Sequence, residues 1–438
     1  MPFDSRDHPE NLPHQLSSHR GALLLALLAV CMGGIAGIVS IAFRAAIELA
    51  QAFMLPRGFE ALALERRLVL PIAGTLCAIA VIFLLGRGRL SAGVVHVLER
   101  LACHDARLPF RNALLQFAAG SLLLIFGMSL GREGPAIHLG AASGSLFGQW
   151  CRLSHKDLRI LVGGGVAAAI AGAFNTPLAG VLLAMEVVLT EYTVSGFVPI
   201  LLAAMTGAVL SRWVYGPAPA FLVPQLALVS LRELPLVGVV GILMGAFAAA
   251  FILLVRGILR LTQRSRWWLP MAMAGALVGA CGIAVPQVLG IGYDIVNRVL
   301  LGQYAFAALA AIAALKLLAT AIGIGARLPG GLIGPTLVIG AAAGGALGHV
   351  ARVLMPVNVS DVGLYAMVGM GAMMAATLQA PLAALLAVFE LTGNPHVVLP
   401  GLLAIALATL AAKPVFHCES VFAMQLQVAG HRRLHSDA

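Results

Sequence analysis

Charge is scarce in this chain: Asp, Glu, Lys and Arg make up 11% of its 438 residues, against 60% hydrophobic. That balance excludes an ordinary soluble domain, whose helices keep a charged face toward water. Residues 160–185, 334–350 and 362–389 hold no charged side chain at all. Cysteine is also sparse. Six scattered residues (Cys31, Cys77, Cys103, Cys151, Cys281 and Cys418) show no metal-ligand spacing, so neither a disulfide framework nor a bound metal is expected. No HExxH or CxxC pattern occurs, which leaves a membrane enzyme without a recognisable metal or redox set, and no cofactor is expected. The formal net charge is +10, yet the basic residues sit singly between apolar runs and in the tails, which argues against a nucleic-acid partner.

What the chain has instead is hydrophobic length. A hydrocarbon core about 30 Å thick needs about 20 apolar residues per helical span. Such stretches recur from Gly21 to Phe416, the mean hydropathy is +0.97, and 49 glycines suit close helix packing in lipid. The run 21–43 is too long for a secretory signal and reads as the first membrane helix. Arg6 and Arg20 before it, and Arg432 and Arg433 after the last span, place both termini on the cytoplasmic side, with an even number of crossings. Residues 1–20 and 418–438 are accordingly read as tails and 21–417 as the membrane domain.

Within that domain the sequence repeats itself. Residues 134–148 (GPAIHLGAASGSLFG) match 334–348 (GPTLVIGAAAGGALG), and 176–187 (TPLAGVLLAMEV) match 380–391 (APLAALLAVFEL). The offsets, 200 and 204 residues, define two duplicated halves, about 21–215 and 235–416, joined near 230–234. Repeated membrane halves of this kind often insert with opposite topology and hold their substrate near the midplane, where Gly/Pro-interrupted helices begin. The two Gly-Pro segments are such interruptions, each with proline in a first turn, where its missing N–H is harmless.

A helix that begins inside the membrane leaves amide donors unsatisfied, carries roughly half a positive charge at its tip, and must face an acceptor. A dehydrated anion serves, held by partial charges weakly enough to be released. The segment Gly131-Arg132-Glu133-Gly134-Pro135 puts a carboxylate at such a tip. Ionised, Glu133 would occupy the anion's place; protonated, it would lose that attraction and swing away. The alternative is that Glu133 only caps the helix or pairs with Arg132 at an interface.

These residues resemble the CLC family of chloride channels and chloride/proton antiporters. GREGPAIHLG (131–140) resembles the family's GREGP motif, GAFNTPLAGVLLAME (172–186) its GxxAxFNxPLAGxLFxxE segment, and LPGGLIGPTLVIGAAAGG (328–345) its GxPGGxFxPxLxxGAxxG segment. The three occur in the family order, and the likeness covers nearly the whole chain. It implies an all-α integral membrane fold of two inverted repeats with broken, tilted helices, and a homodimer with one pore per subunit. It makes Glu133 the gating glutamate and the cell inner membrane of a bacterium the location. It also implies no pair of cytoplasmic CBS domains, since no helical extension is expected after Phe416. Anion contacts are then expected from Arg132 and Gly134, from Ala92, Gly93 and Val94, from Leu332 and Ile333, and from Phe416.

Several positions depart from the family pattern. The loop usually reading GSGIP is Ser91-Ala92-Gly93-Val94-Val95, so alanine falls on the serine position and backbone amides are left to coordinate. The phenylalanine before the second half-helix is Ile333. The inner-mouth tyrosine aligns with Phe416, which keeps a ring but lacks the hydroxyl. The internal glutamate that follows the motif's last acid in many antiporters is Val187. A proton route would then involve Glu133 and the Val187 position, with Glu186 or Glu191 as substitutes, although Glu186 and its counterpart Glu390 also read as paired structural acids. His138 offers a relay but has Val338 at its repeat position, and a lone helix histidine is more often a packed residue. Arg327 replaces a common glycine and adds positive field or simply sits at the interface, and the methionines of 367–374 read as packing.

The resulting expectation is transport of chloride or a related anion, either by proton exchange, motivated by Glu133, or by passive conduction, motivated by Val187 and Phe416. A fluoride exporter ranks below both, because those relatives alter the proline that stands here as Pro135.

Overall fold

The structure, a computed structural model, describes residues 19–86, 93–221, 223, 226–355 and 359–430. Among them the regular structure is helical apart from a single bridge between Gly131 and Gly331. Helices α1 (His19–Met54), α2 (Leu64–Gly86), α3 (Gly93–Cys103), α4 (Phe110–Ile125), α5 (Glu133–Trp150), α6 (His155–Phe174), α7 (Pro177–Leu183) and α8 (Val194–Tyr215) form the first half. The second half contains α9 (Leu234–Thr262), α10 (Trp268–Ala284), α11 (Tyr293–Leu300), α12 (Phe306–Gly325), α13 (Ile333–Leu354), α14 (Val362–Leu378), α15 (Pro381–Thr392) and α16 (Val398–Leu410). A last helix, α17 (Val421–Val428), follows.

Each helix of the first half has a counterpart eight places on. The α5–α6 pair packs as α13–α14 does, α6–α8 as α14–α16, and α1–α8 as α9–α16. The reason is visible in the repeated glycines. A Cβ on Gly140 would overlap the carbonyl of Gly165, and one on Gly340 would overlap that of Gly369, so in both halves the backbones meet directly. Turn chemistry repeats too. Helices α6 and α14 end on left-handed residues, Asn175 (φ 58°) and Gln379 (φ 56°), and two residues later Pro177 and Pro381 open α7 and α15.

Polarity is inverted relative to a water-soluble protein. Phe53, Trp213 and Leu261 are more than 80% exposed, while His138, Gln116 and Lys316 are wholly buried. Among the described residues, eight helices are long and apolar enough to cross a bilayer, and an outer surface of this kind belongs in lipid. The first helix runs beyond the predicted 21–43 to Met54. The joint between halves is a one-turn 3-10 helix (Leu231–Glu233) with a capping box. The buried Glu233 carboxylate there accepts hydrogen bonds from Ser360 N and Oγ and from the Tyr365 hydroxyl (all 2.9 Å), tying the joint to the start of α14. Part of the segment read as a C-terminal tail is instead structured: Ser420 caps α17, whose Val421, Phe422, Met424 and Leu426 are buried against the helices of both halves.

Candidate functional site

The centre of the molecule is made by the two chain segments that precede α5 and α13, and they are built alike. Each leaves its preceding helix through a left-handed residue, Gly127 (φ 81°) or Arg327 (φ 62°), and the next amide folds back: Met128 N to Leu123 O at 3.0 Å, Leu328 N to Gly323 O at 3.1 Å. Four residues after the left-handed positions, Gly131 and Gly331 exchange both backbone hydrogen bonds at 2.7 Å, so the starts of α5 and α13 approach head to head. Only glycine allows it, since a Cβ on Gly134 would lie 2.6 Å from the Gly331 Cα. Two sets of first-turn amides therefore converge on one buried spot, an arrangement that attracts an anion.

Glu133 occupies that spot. It is 3% exposed. Its carboxylate lies against Gly131 and 2.7 Å from where a Cβ on Gly334 would stand, so it faces the first turn of α13 as well as its own helix. The Tyr293 hydroxyl donates to its Oε1, and Oε2 is buried with no partner among the described residues.

On one side Glu133 adjoins a cavity of about 570 Å³ whose lining includes Arg132, Tyr293, Glu48, Arg44 and Phe174. Arg132 donates to Glu48 (2.9 Å), which also accepts from Arg44 (2.8 Å), and the Arg132 guanidinium lies over the Phe174 and Tyr293 rings at 4.7 and 5.2 Å. Arg132 thus faces the cavity with its charge partly balanced by Glu48 and does not pair with Glu133. The rings of Phe174 and Phe221 hold Tyr293 edge-on, 6.1 and 5.4 Å between centroids. The buried Lys316 fixes the segment before α11 by donating to Val288 O (2.9 Å) and Gly290 O (2.6 Å).

On the other side lies a cavity of about 740 Å³, lined by the tips of α3 (Gly93, Val94) and α13 (Gly330, Gly331, Leu332), by Arg327, and by Phe422 and Gln425 of α17. The Gly131–Gly331 pairing and the Glu133 carboxylate stand between the two cavities. Ile333 is buried at the first position of α13. Gly134 packs on Gly331, and Val94 lines the cavity at the α3 tip. Ala92 and Ser91 lie outside the described residues. The expected anion contact of the Gly93 amide needs correction, because that N–H donates to Gln116 Oε1 at 2.7 Å, while Gln116 Nε2 donates to Pro329 O at 2.9 Å. Gln116 thereby ties α3 to the approach to α13. The expectation for Phe416 also changes. Phe416 ends a π-helical turn, 44% exposed and outside the lining of both cavities, and the ring that reaches the cavity is Phe422.

The remaining candidates separate from this centre. Glu186, after α7, accepts from the first amides of α15, Leu382 N (3.2 Å) and Ala383 N (2.8 Å). Glu390, on α15, accepts from those of α7, Leu178 N (3.0 Å) and Ala179 N (2.8 Å). Each half caps the other's helix. Val187 and Glu186 line a further cavity of about 450 Å³ between α3, the π-helical turn that follows α7 (Ala184–Leu189) and α17, and Glu191 pairs with Arg159 at the surface (3.0 Å). His138 does not stand alone, since its Nε2 lies 3.1 Å from His96 Nδ1. Sequence reasoning missed Tyr293, Gln116, Glu48, Lys316, His96 and Phe422. Lys316 had a signal, as the only charge in an otherwise apolar span; Tyr293 and Gln116 had none.

Residues 77–413 match the profile of the family described as "Voltage gated chloride channel". The chain is 33% identical over 395 residues to the putative chloride channel protein ClcB-like of Ralstonia nicotianae, covering 87% of this chain and 91% of that one. It is 30% identical over 411 residues to the H(+)/Cl(-) exchange transporter ClcA of Vibrio vulnificus, covering 90% and 87%. Among solved structures, a slow cyanobacterial Cl-/H+ antiporter superposes with a TM-score of 0.82 at 24% identity over 93% of this chain and 98% of that one. A CLC-type fluoride/proton antiporter superposes with 0.77 at 24% identity, over 93% and 99%. Matched in sequence along most of its length and in fold across nearly all of it, this integral membrane protein belongs to the CLC family.

Proposed function

We propose that the protein carries chloride or a related small anion across the membrane in exchange for protons, with Glu133 as the gate. The observation that carries this reading is the Glu133 carboxylate lodged between the amide-rich tips of α5 and α13, where the two cavities approach each other. An anion entering from either side meets the same donors the carboxylate holds, and only one of the two can be there. Proton binding neutralises the carboxylate, weakens its attraction to the tips and lets it turn out into the 570 Å³ cavity, so protons and anions use the centre in alternation. The relatives' names, one a putative chloride channel and one a proton/chloride exchanger, support the same substrates.

The family also supports a homodimer with one pathway per subunit and a bacterial inner-membrane location. Arg6 and Arg20 at one end, and Arg432 and Arg433 at the other, support cytoplasmic termini, which would make the α17-side cavity the inner one. A second reading, passive anion conduction, is favoured by Val187, an apolar residue on the 450 Å³ cavity.

Purified protein in liposomes separates the two. An imposed chloride gradient should drive protons uphill, and Glu133→Gln should abolish that movement and flatten the pH dependence of chloride flux. Chloride flux without proton movement in the unaltered protein supports the passive reading. Unchanged pH dependence in Glu133→Gln removes the gate from Glu133.

A further inference from the structure

Two buried donors on the wall of the 570 Å³ cavity have nothing to donate to. Arg132, 6% exposed, has no partner for its Nε–H among the described residues, and neither has the Oγ–H of Ser211 on α8, which is 1% exposed. Helical hydroxyls elsewhere in the chain bond the carbonyl four residues back, as Thr206 does to Leu202 O on the same helix (2.8 Å) and Thr392 to Val388 O (2.7 Å). Ser211 makes no such bond.

Charge accumulates on the same wall. Arg44 Nε and Arg132 Nη1 donate to one oxygen of Glu48, Oε1, at 2.8 and 2.9 Å, so two guanidiniums share one carboxylate. Both also lie on aromatic faces, Arg44 3.6 Å from the centre of the Tyr215 ring and Arg132 over Phe174 and Tyr293. Of the other acids on the lining, Glu60 is paired with Arg298 (3.0 Å), and Asp294 lies within electrostatic reach of the buried Lys316. One positive charge is left over. An arginine Nε–H can only donate, so whatever fills the space must accept, and the surplus charge favours an anion over water.

We propose that this wall is a second anion-binding site, outside the Glu133 gate, where Arg132 Nε, Ser211 Oγ and the Arg44 guanidinium hold a small monovalent anion of the transported kind. The inference rests on the reading of the protein as an anion carrier and is independent of proton coupling. Glu48 sets the affinity. Its carboxylate cancels one of the two positive charges, so the anion is held weakly enough to move on. Guanidiniums stacked on rings suit that task, being only weakly hydrated. Because the Glu133 carboxylate is not part of the site, the site fills while the gate is closed. An anion is then already present in the cavity into which Glu133 turns when it takes up a proton.

Crystals grown in bromide test the site directly. Anomalous diffraction should show a peak in contact with Arg132 Nε and Ser211 Oγ in the unaltered protein, and a stronger one in Glu48→Gln, which removes the balancing charge. Liposome flux gives a second readout. The chloride concentration for half-maximal transport should fall about tenfold in Glu48→Gln, stay near the parent's in Glu48→Asp, and rise in Ser211→Ala, which removes a donor and no charge. No bromide at that place in either protein, or a half-maximal concentration equal to the parent's in both Glu48→Gln and Ser211→Ala, overturns the site and leaves the exchange reading intact. A parent that carries no chloride overturns both. A parent that carries chloride without protons turns the exchange reading into passive conduction, and the bromide peaks still decide the site. If Glu48→Gln is not monodisperse, Ser211→Ala is crystallised in its place: its peak should weaken, and a peak equal to the parent's overturns the site.

Discussion

Tyr293 is the residue on which the resting position of Glu133 most visibly depends. Its hydroxyl donates to the carboxylate, and Phe174 and Phe221 leave its ring little freedom to retreat. The hydroxyl holds the carboxylate in its blocking position, and its removal frees the gate. Hydrogen bonds to charged groups contribute about 1.5–3 kcal/mol, so the Tyr293→Phe variant should raise chloride flux by about tenfold or more. The packing of the ring is preserved in that variant, and an unchanged flux would mean that the hydroxyl does not hold the gate. Arg327 presents the opposite balance. It occupies a left-handed position that Gly127 fills in the other half, a strain of about 1 kcal/mol for a residue with a Cβ, and the same position puts its side chain on the α17-side cavity.

At the scale of helices, the exchanged caps of Glu186 and Glu390 hold α7 and α15 to each other. Each carboxylate takes two first-turn amides of the opposite helix, where the helix dipole favours negative charge. Both oxygens of Glu186 are engaged in this way, which supports a structural role over a proton station. Glu186→Ala and Glu390→Ala should each destabilise the protein by about 1–2 kcal/mol, the usual effect of losing a helix cap. Thermal unfolding in detergent reports the loss, and Glu186→Gln should leave the proton-to-chloride ratio unchanged. A lost ratio in Glu186→Gln would return this residue to the proton route.

For the molecule as a whole, the duplication was readable because close approach and helix breaking demand particular residues. Gly134 with Pro135, Gly334 with Pro335, and the acids at 186 and 390 recur at nearly equal spacing, and each is required by the head-to-head geometry they build. Glu133 was readable for a related reason, a carboxylate being rare deep in an apolar run. Tyr293, Gln116 and His96 were hidden because their roles come from partners 160, 213 and 42 residues away, which no local pattern encodes. Phe416 was expected at the cavity from residue type, which cannot tell which of two nearby rings, Phe416 or Phe422, the fold brings there. The α17 helix was missed since, at eight residues, it is too short to announce itself by periodicity.

The central claim is that one spot between the tips of α5 and α13 is shared by an anion and the Glu133 side chain. Anomalous diffraction from crystals of Glu133→Gln grown in bromide tests it directly. The account predicts a bromide peak beside Gly131 and Gly334, in the place the carboxylate occupies, and a weaker peak there in the unaltered protein. Bromide bound elsewhere in the cavities, with that place empty in both proteins, would contradict it.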